Sequence, residues 1–150
     1  MKTIAFMLAA AAAIGCKSAD SAGADVAFRS LARGYQSGLS EPGVRVARNE
    51  TEWHALWARH ASLVMPRPDA PTVDFAHDMV IYVSIGTRPT YGYAVGIDRV
   101  TAVDAAHLRI EITEKKPASD AITSQIVTQP YHMIVTSNRT GDVELVTLRN

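Results

Sequence analysis

Apolar side chains recur with two different periods along this chain, and each change of period marks an element. Trp53, Leu56, Trp57 and Ala61 fall at offsets 0, 3, 4 and 8, the stripe of an amphipathic helix. Asn49 precedes the stripe and Glu52 stands three residues on. In such a capping box Asn49 accepts from a free helix amide while Glu52 reaches back. The spacing predicts a helix from Glu50 to about Leu63. Pro66, Pro68 and Pro71 forbid its continuation and impose an extended loop. Both tryptophans lie on the stripe. Packing against a sheet is the favoured reading of them, with a ligand platform as the alternative.

Elsewhere the period is that of strands. Val44 and Val46 share one face of a short strand that follows Gly43. Met79–Ile85 (MVIYVSI) is almost unbroken apolar sequence, as a central strand covered on both faces requires. Tyr93, Val95 and Ile97 alternate toward Val103; Leu108, Ile110 and Ile112 alternate with Arg109, Glu111 and Thr113. Ser124–Thr128 and Tyr131–Thr136 read as one strand interrupted or flanked by Pro130. Asn138–Asp142 is a hairpin-turn signal, with Gly141 where a positive φ is expected, and Val143–Leu148 closes the sheet. The predicted fold is mainly β, of α+β type. It is an antiparallel sheet or barrel-like sandwich of about five or six strands over residues 43–150, with one N-terminal amphipathic helix packed on it.

Residues 17–42 are rich in Ser, Ala and Gly, with scattered apolar positions. They read as a flexible tether, residues 16–42, with a short helical turn around Phe28–Arg33. Ahead of it, one lysine is followed by an apolar run ending in small residues and the single cysteine, Cys16. That is the layout of an export signal. The run is shorter than the about 20 residues needed to span a bilayer. Ala13-Ile14-Gly15-Cys16 resembles the lipobox of a bacterial lipoprotein signal. Residues 1–15 would then be removed and Cys16 would carry the acyl chains, since two or more chains anchor stably where one does not. An ordinary secretory signal cut near the alanines is the alternative. A residue other than Asp after the cysteine, here Lys17, implies sorting to the outer membrane of the bacterial cell envelope.

The charge balance is 15 Lys+Arg against 15 Asp+Glu, and the signal removes only Lys2. A near-neutral surface argues against nucleic-acid binding, which needs a basic stripe. With one cysteine, no intramolecular disulfide forms, so apolar packing and backbone hydrogen bonds must hold the domain. His54, His60, His77, His107 and His132 show no metal-ligand spacing. No GxSxG elbow and no phosphate-cradling glycine loop occur. The expectation is a protein without catalytic residues, metal or small-molecule cofactor.

The densest specific stretch is Gly86-Thr87-Arg88-Pro89-Thr90-Tyr91-Gly92-Tyr93. Pro89 fixes φ, and Gly86 and Gly92 permit angles closed to other residues, so the loop is stiff. Arg88, Pro89, Thr90, Tyr91, Gly92 and Tyr93 are candidate partner-binding residues, because a rigid loop with Tyr and Arg loses little entropy on docking. The structural alternative is a corner with Tyr93 packed inward and Arg88 capping a carbonyl. A second stiff loop contributes Gln129, Pro130, Tyr131 and His132. If the two converge, they form one binding edge.

Trp53-x-x-x-Trp57, Val73-Asp74-Phe75, Gly86-x-Arg88-Pro89-Thr90-x-Gly92-Tyr93, Pro117 and Thr128-x-Pro130-Tyr131 occur in this order over about residues 43–137. Together they resemble the PrcB C-terminal domain family, named for a small lipoprotein subunit of a bacterial surface protease complex. The family loop reads Thr-Gly-Gly-Tyr where this chain has Thr90-Tyr91-Gly92-Tyr93. The resemblance implies a membrane-anchored protein that binds or stabilises a protein partner, an exported protease. A looser likeness links Pro89-Thr90-x-Gly92-Tyr93 to chagasin-like inhibitors of cysteine proteases, which present β-sandwich loops as a wedge. It implies inhibition through residues 86–93 and 128–132 as the alternative function.

Overall fold

The computed structural model describes residues 23–148; the signal segment 1–15 and Cys16 lie outside the described residues. The central strand β4 (Asp78–Ser84) is buried from Met79 onward. Its side chains alternate between two layers: Met79, Ile81 and Val83 enter one core cluster, Val80 and Tyr82 another. This double cover is the reason the sequence shows no polar alternation there. β4 pairs with β3 (Gly43–Ala47) and β7 (Tyr131–Ser137), and β2 (Phe28–Gly34) lies outside β7. The second sheet has the order β1-β5-β6-β8, with β1 Ala24–Asp25, β5 Ala94–Ala102, β6 Leu108–Lys115 and β8 Val143–Leu148. Val95, Ile97, Val100, Leu108, Ile110 and Ile112 meet Met79, Ile81, Val83 and Ile134 between the sheets.

Helix α1 (Glu50–His60), extended by a 3-10 turn over Ala61–Leu63, covers the other face of the β4 sheet. Trp53 and Leu56 pack with Val80, Tyr82, Met133 and Val135. The cap forms as the sequence predicts at Asn49, whose Oδ1 accepts from the Glu52 amide at 2.9 Å. Glu52 reaches back one residue further, to the Arg48 amide at 2.7 Å. Each tryptophan indole N–H donates at 2.8 Å to the proline loop, Trp53 to Pro71 O and Trp57 to Pro68 O. The tryptophans therefore brace helix, sheet and loop.

The fold class is as expected, mainly β with one packed helix, but the strands number eight among the described residues. The largest correction concerns the expected tether and its helical turn. Residues 24–34 supply β1 and β2. β2 pairs with β7 across a bulge between Ser30 and Ala32. The bulge flips the alternation, so Phe28 packs between the sheets whereas Leu31 and Ala32 pack on the helix side. A period of two is broken there, and the sequence looks unstructured.

Two further corrections follow the chain. Ser124–Thr128 is no strand; it lies in the irregular connection between β6 and β7 and forms one isolated bridge, Arg88–Thr128, outside the strands. Asn138–Asp142 is no hairpin, because β7 and β8 lie in different sheets and β8 runs parallel to β6. Positive φ occurs at Gly43, Gly86 and Gly92 but not at Gly141. Gly141 is needed for space instead: a Cβ there would stand 2.6 Å from His107 Cδ2.

Candidate functional site

β4 and β5 are joined at one end of the sandwich by residues 85–93, and β7 begins at the same end. The two stiff loops do converge there. Arg88 N donates to Thr128 O at 2.7 Å and Thr128 N returns a bond to Arg88 O at 2.9 Å. Thr128 is buried, and its hydroxyl donates to Thr90 O at 3.1 Å. Tyr91 N donates to Ser124 O at 3.1 Å, which ties the irregular connection to the same loop. Gly86 and Gly92 hold φ of 77° and 104°, the left-handed region that admits glycine most easily. Fixed at both glycines and across the bridge, the loop is held in one shape.

The side chains of the expected site divide. Pro89 is exposed and Tyr91 is 46 % exposed. Arg88 and Thr90 are half-buried. Arg88 lies 5.6 Å from the centre of the Tyr93 ring and 3.6 Å from the Glu114 carboxylate. Tyr93 packs inward against the core between the sheets. Gln129 is half-buried, its amide donating to Tyr35 O at 2.8 Å. Pro130 and His132 are buried, which corrects their expected place on an accessible edge. His132 instead links the sheets: Ile97 N donates to its Nδ1 at 2.9 Å, and its Nε2 lies 2.9 Å from Ser30 Oγ. Burial lowers its pKa, aided by Arg33 and opposed by Asp98.

Tyr131 turns toward the helix. Its ring stacks on Tyr82 at 5.9 Å and meets the His60 ring edge-on at 4.4 Å. Burial raises the Tyr131 pKa and lowers that of His60 to about 4, so both are neutral near pH 7. With Trp57, Leu63, Val64 and Pro68 they wall a cleft of about 340 Å³. Behind it His60 Nδ1 lies 3.0 Å from Ser37 Oγ, which in turn lies 3.0 Å from the Tyr82 hydroxyl. A serine beside a histidine is the beginning of a nucleophile–base pair. Ser37, however, is 2 % exposed and its oxygen also accepts from the Leu39 amide at 3.1 Å, so its contacts are those of a sealed structural link.

Sequence reasoning missed several residues of this end. Tyr35, 46 % exposed, meets Tyr91 edge-on at 4.8 Å. Ile122, Ile126 and Val127 stand in solvent on the connection bonded to the Tyr91 loop. Tyr35 lay in the supposed tether, and the three aliphatic residues lay in or near a supposed strand. The available signal was the length of the segment between Lys116 and Pro130, since long irregular connections in compact domains are uncommon and often functional.

The β-sandwich thus fixes two loops at one end and leaves large apolar side chains uncovered there. Residues 79–137, from β4 through β7, match the PrcB C-terminal family, as the loop motifs led us to expect. The match leaves out the Trp53/Trp57 helix and Val73-Asp74-Phe75, which the resemblance was expected to include. No curated protein and no solved structure matches the chain significantly. Among the described residues no group of three or more His, Cys, Asp or Glu is placed to hold a metal ion.

Proposed function

We propose that this chain is a non-catalytic module that holds or stabilises a protein partner, an exported protease, at the loop-bearing end of its sandwich. One observation carries the reading: Tyr35, Tyr91, Ile122, Ile126 and Val127 are exposed on segments tied together by the Arg88–Thr128 bridge and by the Tyr91–Ser124 and Gln129–Tyr35 backbone bonds. Exposed apolar residues gathered at one end favour a macromolecular partner. Their stiff backbone limits the entropy lost on docking. The PrcB C-terminal match over residues 79–137 makes a protease the partner of choice. The sealed Ser37–His60 contact supports a non-catalytic role.

A lipid on Cys16 would hold the module to the bacterial envelope, in the outer membrane, and place this end near exported proteins. Mass spectrometry of the mature amino terminus tests the anchor, which requires a diacylglyceryl mass on Cys16. Affinity purification from native envelopes tests the partner: a protease is expected to co-purify, and to be lost with Ile126→Asp. The presented Pro89 loop also suits an inhibitor. Incubation with a papain-like protease separates the readings, because holding leaves turnover intact and inhibition stops it.

A further inference from the structure

Tyr35 stands between two clefts of opposite character. The first, about 340 Å³, is walled by Trp57, His60, Leu63, Val64, Pro68 and Tyr131 and has no charged side chain in its lining apart from the titratable His60. The second, about 290 Å³, is lined by Arg33, Tyr91, Tyr93 and Lys115, with no carboxylate. Gly34 and Tyr35 line both, so the clefts are neighbours across one ring.

Three arginines outside the second cleft are each matched by a carboxylate. Arg88, Arg99 and Arg109 face Glu114, Asp25 and Glu144. Arg33 and Lys115 make no ion pair among the described residues. Two such cations lining one cleft that has no carboxylate of its own are complementary to a carboxylate. The first cleft is complementary to a bulky apolar side chain, which would remove Leu63, 63 % exposed, and Val64, 47 % exposed, from water. Gly34 ends β2, the outermost strand of its sheet, so an extended chain can run along this edge.

We infer that the two clefts together receive an extended segment of the protein partner that carries a bulky apolar residue and, within a few positions, a carboxylate. This rests on the protein-binding reading above and specifies the chemistry of what is bound. The apolar residue enters between Trp57 and Tyr131; the segment crosses Tyr35; the carboxylate settles between Arg33 and Lys115.

The test is selection of phage-displayed random linear peptides on the full-length chain in detergent, followed by fluorescence anisotropy with the selected peptides. Enriched peptides are expected to pair Leu, Met or an aromatic residue with Asp or Glu. Leu63→Glu and Lys115→Glu, both at exposed positions, should each weaken binding by about tenfold or more, as should changing the peptide's acid to its amide. Circular dichroism confirms that the variants fold. Absence of enrichment, peptides without an acidic residue, or affinities indifferent to both substitutions would overturn the inference. Partner capture that depends on Ile126 but not on Leu63 or Lys115 would sink the cleft assignment and leave the binding end standing. Failure of capture itself would remove both.

Discussion

His132 does the work of a cross-link between the sheets. Its neutral ring accepts from the Ile97 amide, at the bulge of β5, and contacts Ser30 on β2. Replacement by Leu keeps the bulk but leaves the buried Ile97 N–H without its acceptor, at a cost of roughly 1–3 kcal/mol. Urea denaturation of His132→Leu should show that loss. His60 and His132 also set a pH dependence. Both are held below the ordinary imidazole pKa, His60 at about 4, so the unfolded chain binds protons that the fold resists. Stability is then complete above about pH 6.5 and falls as pH drops toward 4. For His60 alone the loss is about 3 kcal/mol, at about 1.4 kcal/mol per pKa unit. His77, raised by its bond to Asp74, acts in the opposite sense but is fully exposed and screened. Urea midpoints between pH 7.5 and 4.5 should fall for the natural chain and fall less for His60→Gln. None of this was legible at His132 in the sequence, because its partners lie on distant strands. Beside Pro130 it reads as a loop residue.

At the scale of elements, legibility followed locality. α1 is visible because its stripe and cap lie within a few residues of each other. β4 is visible because burial on both faces leaves an apolar run that no neighbour can disguise. β2 is hidden by the bulge that moves Ala32 off the face of Phe28 and onto the side of Leu31. The parallel pairing of β8 with β6 is set by where the chain goes after β7, which no local pattern encodes. β2 covers the outer edge of β7 from Phe28 to Gly34. Deleting residues 23–34 should therefore abolish the cooperative thermal transition and expose an aggregation-prone edge, as differential scanning fluorimetry and light scattering would report. Removal of a mere tether would leave the melting temperature unchanged. Gly92→Ala would place a Cβ 3.0 Å from Pro117 in a strained left-handed conformation. It should loosen the Tyr91 loop at a cost of about 1 kcal/mol, with faster amide exchange there than in β4.

The whole molecule has two unlike ends. The β5–β6 and β7–β8 connections are bonded together at one end by Arg139 to Ala105 O at 2.8 Å and by Gly141 N to Ala106 O at 3.0 Å. At the other end the bridged loops hold Tyr91 and the segment bearing Ile122 and Ile126 in solvent. The sequence indicated Pro89 and Tyr91 at this end because proline and glycine announce a stiff loop locally. It could not reveal Tyr35, which arrives from a strand that the bulge concealed. If the bridged end is where a partner docks, the molecule's contacts with that partner are confined to one end. Photo-cross-linking in native envelopes tests this most directly, with the reactive side chain placed in turn at positions 91, 122 and 126 and at positions 105 and 140. Adducts with a protease at the first three positions and none at the last two are the predicted result; adducts from 105 and 140, or from no position, would contradict it.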